Sequence, residues 1–189
     1  MSQFDVKTVY IPAADYIRDY QDVDKFLAYC RACPRYNKCW ACPEHNFDPV
    51  ALVAAYAHVY IIGVKVQVPP EARGAVKGRE AVEAKAEAIT RAARKELDPL
   101  VLALEKTWGD ALCCYGGTCY LCAACQRIEG KPCVYPERRR CSLEALGFDV
   151  AATAQQLLGF ELLWSEDSLP PYITVISALF TNELMSRGV

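Results

Sequence analysis

Three thiols lie close together at Cys119-Tyr-Leu-Cys122-Ala-Ala-Cys125, and a fourth, Cys133, follows after a gap of seven residues. Two successive Cys-x-x-Cys steps put three sulfurs on one tight stretch of chain. That spacing grips three irons of a cubane, with a fourth cysteine arriving from further along. Tetrahedral zinc is more often built from two separated knuckles, so this run favours iron–sulfur over zinc. Leu121, Ala123 and Ala124, lying between the cysteines, suit a cluster shielded from water. In a bacterial ferredoxin repeat the fourth cysteine follows three residues later and precedes proline. Here proline comes first, at Pro132-Cys133, so the run is not such a repeat.

A second group precedes it. Cys30-Arg-Ala-Cys33 and Cys39-Trp-Ala-Cys42 are two Cys-x-x-Cys pairs separated by five residues. They could form a four-cysteine zinc site, though the gap is short for a zinc ribbon, or they could hold a second cubane. His45 is a candidate nitrogen ligand, and His58, inside an apolar run, reads as a core residue. With two histidines in the chain, Cys₂His₂ zinc and a histidine-based catalytic site are both disfavoured.

All 11 cysteines fall in these two regions, and the 70 residues between Cys42 and Cys113 contain none. An odd number cannot pair fully within one chain. The opening Met1-Ser2-Gln3-Phe4-Asp5 has no basic and apolar leader pattern,. A disulfide framework is therefore disfavoured, and a reducing, cytoplasmic setting is expected. The longest apolar run, Val50 to Val64, is interrupted by His58 and falls short of the roughly 18 residues that suggest a membrane span, so no membrane association is expected. The net charge of −2 gives no global attraction to nucleic acid,.

The strings Cys30-x-x-Cys33-Pro-x-Tyr36, Trp40-x-Cys42-Pro43, Cys119-x-x-Cys122-x-x-Cys125, Pro132-Cys133, Pro136-Glu137 and Ser142-x-Glu144-Ala145-x-Gly147 resemble a small prokaryotic family of predicted metal-binding proteins, a domain of unknown function. The likeness extends over nearly the whole chain. It implies metal binding at Cys30, Cys33, Cys42, Cys119, Cys122, Cys125 and Cys133, and it supplies no activity. Cys39, Cys113, Cys114 and Cys141 are not positions of that pattern, and the simplest reading of each is packing, since free cysteine behaves as a small apolar side chain. The seven implied ligands are one short of what two fully ligated cubanes need. Either Cys39, Cys113, Cys114, Cys141 or His45 completes the set, or one iron is left open.

Several elements must position these loops. Residues 6–11 read as a short strand, and 22–29 as a helix entering the first cysteine loop, 30–43. Asp48-Pro49 starts a helix to about Ala57, with Asp capping and Pro in the first turn. Residues 59–67 form a strand ended by Pro69-Pro70. Val82, Ala86, Ile89, Ala93 and Leu97 recur at helical spacing,, and Asp98-Pro99 should kink or restart that helix. Residues 111–115 read as a strand delivering the chain through Gly116-Gly117 to the second cysteine loop, 113–141. Ser142 and Asp149 can cap short helices ending near Gly147 and Gly159, and 172–180 is a strong strand. The expected architecture is one α+β domain over residues 1–189, a mixed sheet with flanking helices and two cysteine-rich metal-binding loops.

Tyr36, Trp40, Tyr115, Tyr120 and Tyr135 flank the loops and read as a packed lid. Arg31, Arg35, Lys38, Arg127, Lys131 and Arg138–Arg140 gather there too. Cations near an anionic cluster stabilise it and raise its potential, or dock an acidic redox partner; a solvated surface is the plainer reading of the Arg138–Arg140 run. The expected function is binding of one or two [4Fe-4S] clusters for electron transfer with a redox partner protein. The alternatives are an enzyme with an open iron and a zinc-stabilised binding module, perhaps touching nucleic acid through Arg138–Arg140. No phosphate-binding glycine loop, nucleophile elbow or zinc-protease helix is present.

Overall fold

The structure, a computed structural model, describes residues 4–164 and 168–184. Its centre is a four-stranded sheet in the order β1-β2-β4-β3, formed by β1 (Phe4–Pro12), β2 (His58–Gln67), β3 (Ala111–Cys114) and β4 (Tyr172–Thr181). All three strand pairs are antiparallel. The α+β expectation holds, but the sheet is antiparallel rather than mixed. The reason is topological. β2 and β3 run in the same direction across a helical crossover, and the last strand slots between them, as in a split βαβ unit. The one parallel pairing among the described residues is the isolated bridge Tyr115↔Ser142.

Alternation along the strands sends side chains to two covered faces. Val59 and Ile61 of β2 join Ala178 and Phe180 of β4 in a core with Tyr16, Tyr20 and Phe148. The opposite face places Tyr60, Leu179, Val64 and Val175 under one long helix, through its Ala93, Val101 and Leu102. That helix, α5 (Arg79–Thr107), runs without a break through Pro99, where a kink or restart was expected. Burial on both sides of Pro99, at Ala93 and at Val101 and Leu102, holds the turn that a proline loosens by removing one amide donor.

Most of the other elements lie where local signals place them. Among them α2 (Val23–Ala32) is capped by Asp22 and α3 (Pro49–Ala54) by Asp48, whose carboxylate accepts from the Val50 amide at 2.8 Å. Asp149 caps α6 (Val150–Ala152), which widens into a π-helix over Thr153–Leu158. Ser142 accepts from the Ala145 amide at the start of a single 3₁₀ turn, Glu144–Leu146, rather than a full helix. Three elements have no counterpart among the sequence expectations: α1 (Ala13–Tyr20), the single-turn α4 (Pro70–Arg73) and a 3₁₀ turn over Gln126–Glu129. Of these, α1 is the longest. The first has no capping side chain, yet Ala13, Tyr16 and Tyr20 form its buried stripe.

Two glycines bring the loop-bearing segments against this frame. Gly147 has φ +88°, and a Cβ there would lie 2.7 Å from Val23 Cα, so α2 sits directly on the 3₁₀ turn. Gly116 lies so close to β4 that a Cβ would meet Val175 Cγ1 at 2.7 Å.

Candidate metal centre

The two cysteine loops, 77 positions apart between Cys42 and Cys119 in sequence, meet at one end of the frame. The first emerges from α2, which carries Cys30 in its last turn and ends at Cys33. The second leaves β3 through Gly116-Gly117, with Gly117 at φ +69°.

Arginines of the second loop clamp the first by its backbone carbonyls. Arg127 Nη1 donates to the carbonyls of Cys39 at 3.0 Å and Cys42 at 2.8 Å, while its Nη2 donates to Asn37 Oδ1 at 2.6 Å and the Glu44 carbonyl at 2.7 Å. The same guanidinium lies over the Trp40 ring, 5.0 Å from its centroid. Arg139 donates to the Trp40 carbonyl. Trp40 in turn sends its indole N–H to the Lys131 carbonyl at 2.9 Å. Asn37 closes the first loop on itself, sitting at φ 54° and donating its amide to the Pro43 carbonyl at 2.7 Å. A left-handed backbone is better tolerated by Asn than by most residues.

Between the loops lies a cavity of about 230 Å³, walled by the thiols Cys39, Cys119, Cys122, Cys125 and Cys133. The Trp40 amide donates to Cys125 Sγ at 3.4 Å, a bond from one loop to a sulfur of the other. Cys39, 7% exposed, sits at the seam. The neighbouring Cys119 and Cys42 thiols, with the Ala41 and Cys119 amides, favour its thiolate and draw its pKa well below the usual thiol range. The donors move the other way: sharing a proton with Cys39, and then burial, push Cys42 and Cys119 up. Burial followed by the neighbouring Cys125, Cys133 and Cys39 raises Cys122.

The cavity wall differs from expectation in one respect. Ala123 and Ala124 are exposed, so they shield little; the buried Cys39 and Ala41 and the half-buried Trp40 of the first loop form the dry side. The other three cysteines implied by the family resemblance lie outside this cavity. Cys42 touches Cys39, Cys33 is exposed, and Cys30 points its thiol at the Glu144 carbonyl, 4.0 Å away. Cys33 lies close enough to Cys30 and Cys42 to raise both, behind the larger effects of burial on Cys30 and of Cys39 on Cys42.

The remaining candidates separate clearly. Cys113 and Cys114 are 0% and 1% exposed on β3, facing opposite cores, and burial is the main reason both thiols are raised. Cys141 is also pushed up, to about 11, by burial first. His45 stacks on Phe47 at 4.6 Å and uses Nε2–H to bond the Ala145 carbonyl at 2.9 Å. A carbonyl only accepts, so that nitrogen carries the proton.

Helix α5 holds the second loop from behind. Arg94, buried, binds Asp98 with two bonds of 3.0 and 2.7 Å, donates to the Thr118 carbonyl, and lies over the Tyr120 ring at 4.9 Å. Glu105 pairs with Arg140 through both carboxylate oxygens, one bond at 2.7 Å, and accepts from the Cys113 amide at 2.6 Å. Burial alone would raise the Glu105 carboxyl; the bonds from Arg140 and the Cys113 amide outweigh it and hold it below its ordinary value. The Arg138–Arg140 run is thus not a solvated patch. Arg139 and Arg140 are turned inward as braces, and only Arg138 is exposed. No spacing rule could have identified Arg127, which acts on a backbone more than 80 residues away, or the pairing of Glu105 with Arg140; Arg94 has a helical i,i+4 partner in Asp98, but its bond to the Thr118 carbonyl is not local.

A larger cleft of about 890 Å³, bordered by Glu83, Thr90, Gly116, Gly117, Glu144 and Thr174, contains no thiol among the described residues. A third cavity, of about 350 Å³, is bordered by Cys113, Cys114 and Cys141, but it lacks the Cys-x₂-Cys-x₂-Cys run that lines the small one. Soft sulfur donors select zinc, copper(I) or iron–sulfur groups over hard cations, and amide donors aimed at sulfurs are what such groups use to tune charge. The donor set fits a thiolate-bound metal. Among the described residues no three His, Cys, Asp or Glu side chains stand ready in single-ion geometry. No helix among those residues is long and apolar enough to cross a membrane.

The chain belongs to the family described as "Predicted metal-binding protein (DUF2284)", whose pattern matches residues 14–180. No curated protein and no solved structure matches it.

Proposed function

We propose that this chain is an iron–sulfur protein, with a [4Fe-4S] cluster on Cys119, Cys122, Cys125 and Cys133, that exchanges electrons with a partner protein in a reducing cytoplasm. One observation carries this reading: four thiols from a Cys-x₂-Cys-x₂-Cys-x₇-Cys run face one cavity, and an amide of the opposite loop donates to one of them. Such a group would supply a one-electron couple. The chain's part is to hold the sulfurs, exclude water on the Trp40 side, and set the charge around them. Arg127 and Arg139 lie within the joined loops, where fixed positive charge favours the more reduced, more anionic state.

The outer side of the cavity suits a partner. Ile128 is 62% and Val134 53% exposed, and Lys38 and Lys131 lie among the exposed residues of the same loops. An apolar centre with a basic rim matches a docking patch for an acidic protein. Cys30, Cys33 and Cys42 make a neighbouring thiol group suited to a second metal.

The test is iron, zinc and acid-labile sulfide per chain after purification without oxygen, with visible spectra before and after dithionite and ferricyanide. Iron and sulfide in equal amounts, about four of each for one cubane and about eight for two, with a reversible spectral change, support the reading. Zinc without sulfide overturns it in favour of a structural module. A second reading, an enzyme, is favoured by the cleft beside Gly116 and Gly117, immediately upstream of Cys119. A cluster inert to both redox reagents would move the assignment there.

A further inference from the structure

We infer that a groove between α5 and the second cysteine loop is a binding site for a small, multiply charged oxyanion, a phosphate ester or a polycarboxylate. The inference stands apart from the metal assignment, since none of the described residues bordering the groove is a thiol.

The groove encloses about 420 Å³, a volume within the range of small-molecule sites. One wall is a single face of α5. Arg91, Lys95, Pro99, Leu102 and Lys106 follow one another at steps of three or four, the repeat that sets side chains in one row along a helix,. The other wall is Tyr115, Tyr120 and Leu121, with Arg138.

Charge is the first observation. Five cations border the groove against one carboxylate, Asp98, in a chain whose net charge is −2. Asp98 is taken by Arg94. Arg91 shares one Glu87 oxygen with Arg35, at 3.3 and 2.8 Å, so a single carboxylate serves two guanidiniums. Lys95, Lys106 and Arg138 form no ion pair among the described residues, and Arg138 meets only the Tyr135 ring, 5.5 Å from its centroid. A concave surface lined by one sign of charge focuses its field on an ion of the other sign.

The second observation is not at the surface, where lysines are simply solvated. Tyr115 is 3% exposed, yet its hydroxyl makes no hydrogen bond among the described residues. A buried tyrosine ordinarily finds a partner for its O–H. Tyr16 and Tyr20, also buried, both do, at Thr153 and Gln156. The Tyr115 ring is fixed by Tyr60, Val101 and Leu179, and the groove is the open space that it borders. Tyr120 likewise has a hydroxyl without a partner, and Arg91 and Arg94 lie over its ring at 4.4 and 4.9 Å. With that ring occupied by guanidiniums, Tyr120 offers a hydroxyl rather than a stacking platform. The groups left over are ammonium, guanidinium and phenol O–H, all able to donate. A ligand with negative charge and several acceptor oxygens satisfies them together. Leu121 borders the thiol cavity as well, which sets such a ligand beside the proposed centre.

The experiment is isothermal titration calorimetry of the chain purified without oxygen, in about 0.1 M salt, with inorganic phosphate, fructose 1,6-bisphosphate and succinate in turn. The proteins are wild type, the double variant Lys95→Ala/Arg138→Ala, Tyr115→Phe, and Lys38→Ala/Lys131→Ala as a control for basic charge elsewhere. Circular dichroism establishes folding, and if Tyr115→Phe fails to fold, Tyr120→Phe is read instead. Wild type is expected to bind a probe at one site per chain. The groove double variant should weaken that binding about tenfold or more and Tyr115→Phe about threefold or more, since each removes donors to a charged group. The control pair should match wild type. Tighter binding of the bisphosphate supports a phosphate ester as the ligand, and tighter binding of succinate a carboxylate. No saturable binding of any probe, or an equal loss in the control pair, would overturn the site. An unchanged affinity in the folded tyrosine variant would also overturn it, leaving a diffuse basic surface. Iron, sulfide and zinc per chain in the same samples judge the metal assignment separately, so either reading can fail without the other.

Discussion

Cys113 and Cys114 on β3 and Cys39 and Cys119 at the loop junction are all shielded from solvent to a large degree, yet they occupy opposite kinds of environment. The strand pair is enclosed by aromatic and aliphatic side chains of the two sheet cores. The junction pair lines one cavity with Cys122, Cys125 and Cys133, and the chain at Cys39 and Cys42 is gripped by arginine through its carbonyls. Burial therefore does not separate a packing cysteine from one proposed to bind metal. What surrounds the sulfur does: a thiol among apolar side chains has no second soft donor to share a metal with, whereas thiols gathered at one cavity do.

The largest expected effect breaks this comparison directly. Cys122→Ser should lower bound metal by more than half, with little effect on the metal-free fold, because Cys122 is only partly buried at the cavity. Cys114→Ser should do the reverse: metal is retained, but a hydroxyl in an apolar core costs about 1–3 kcal/mol. Metal analysis and urea melts of the two variants check both halves. If Cys114→Ser lost metal and Cys122→Ser did not, the environment argument would be inverted.

Next in size is the brace between α5 and the second loop. Arg94→Ala leaves Asp98 without its buried partner and frees the Thr118 carbonyl. Breaking a buried pair from one side costs about 3–5 kcal/mol, lowering stability without touching a thiol. Arg127→Ala acts on the junction itself. It removes four hydrogen bonds between the loops and the contact over Trp40, but at the surface, so about 1–3 kcal/mol is expected. The sharper readout is metal retention under a chelator, which should fall severalfold in Arg127→Ala and stay near wild type in Arg94→Ala. Equal retention in both would mean that the clamp does not organise the sulfurs.

These braces mark where sequence reading stops. The strands, the long helix and the capped helices follow from alternation, helical spacing and Asp caps, all of which act over a few residues. The Cys-x₂-Cys-x₂-Cys run is equally local. Cys39 reads as packing because nothing in its neighbourhood reveals that the second loop, far along the chain at Cys119, folds back onto it. Arg139 and Arg140 look like a solvated run because a charge string carries no record of the carbonyl or carboxylate it will meet. The antiparallel sheet depends on the last strand entering between two earlier ones, an event no window of sequence contains. Conversely, α1 is missing from the sequence expectations although its signal is local: Ala13, Tyr16, Ile17 and Tyr20 have helical spacing, but Pro12 provides no side-chain cap to mark its start.

The smallest effect separates the strand side from the junction by pH. Glu105 ties Arg140 and the Cys113 amide to α5, and its carboxyl is held below the ordinary value of 4.5 in the folded chain. A folded value below the unfolded one means that the unfolded chain binds more protons in that window, so stability rises with pH there. The contribution is complete above the unfolded value and is lost as pH falls through the lowered folded one. Wild type should therefore exceed Glu105→Gln in urea midpoint at pH 7, with the gap narrowing below about pH 4.5. Because the pair holds β3 and Arg140 rather than the thiol cavity, metal content at pH 7 should be the same in both proteins. A gap independent of pH would mean that Glu105 acts through shape and not charge. A loss of metal in Glu105→Gln would mean that the strand and the junction form one cooperative unit, and that the two cysteine environments differ in chemistry but not in mechanical independence.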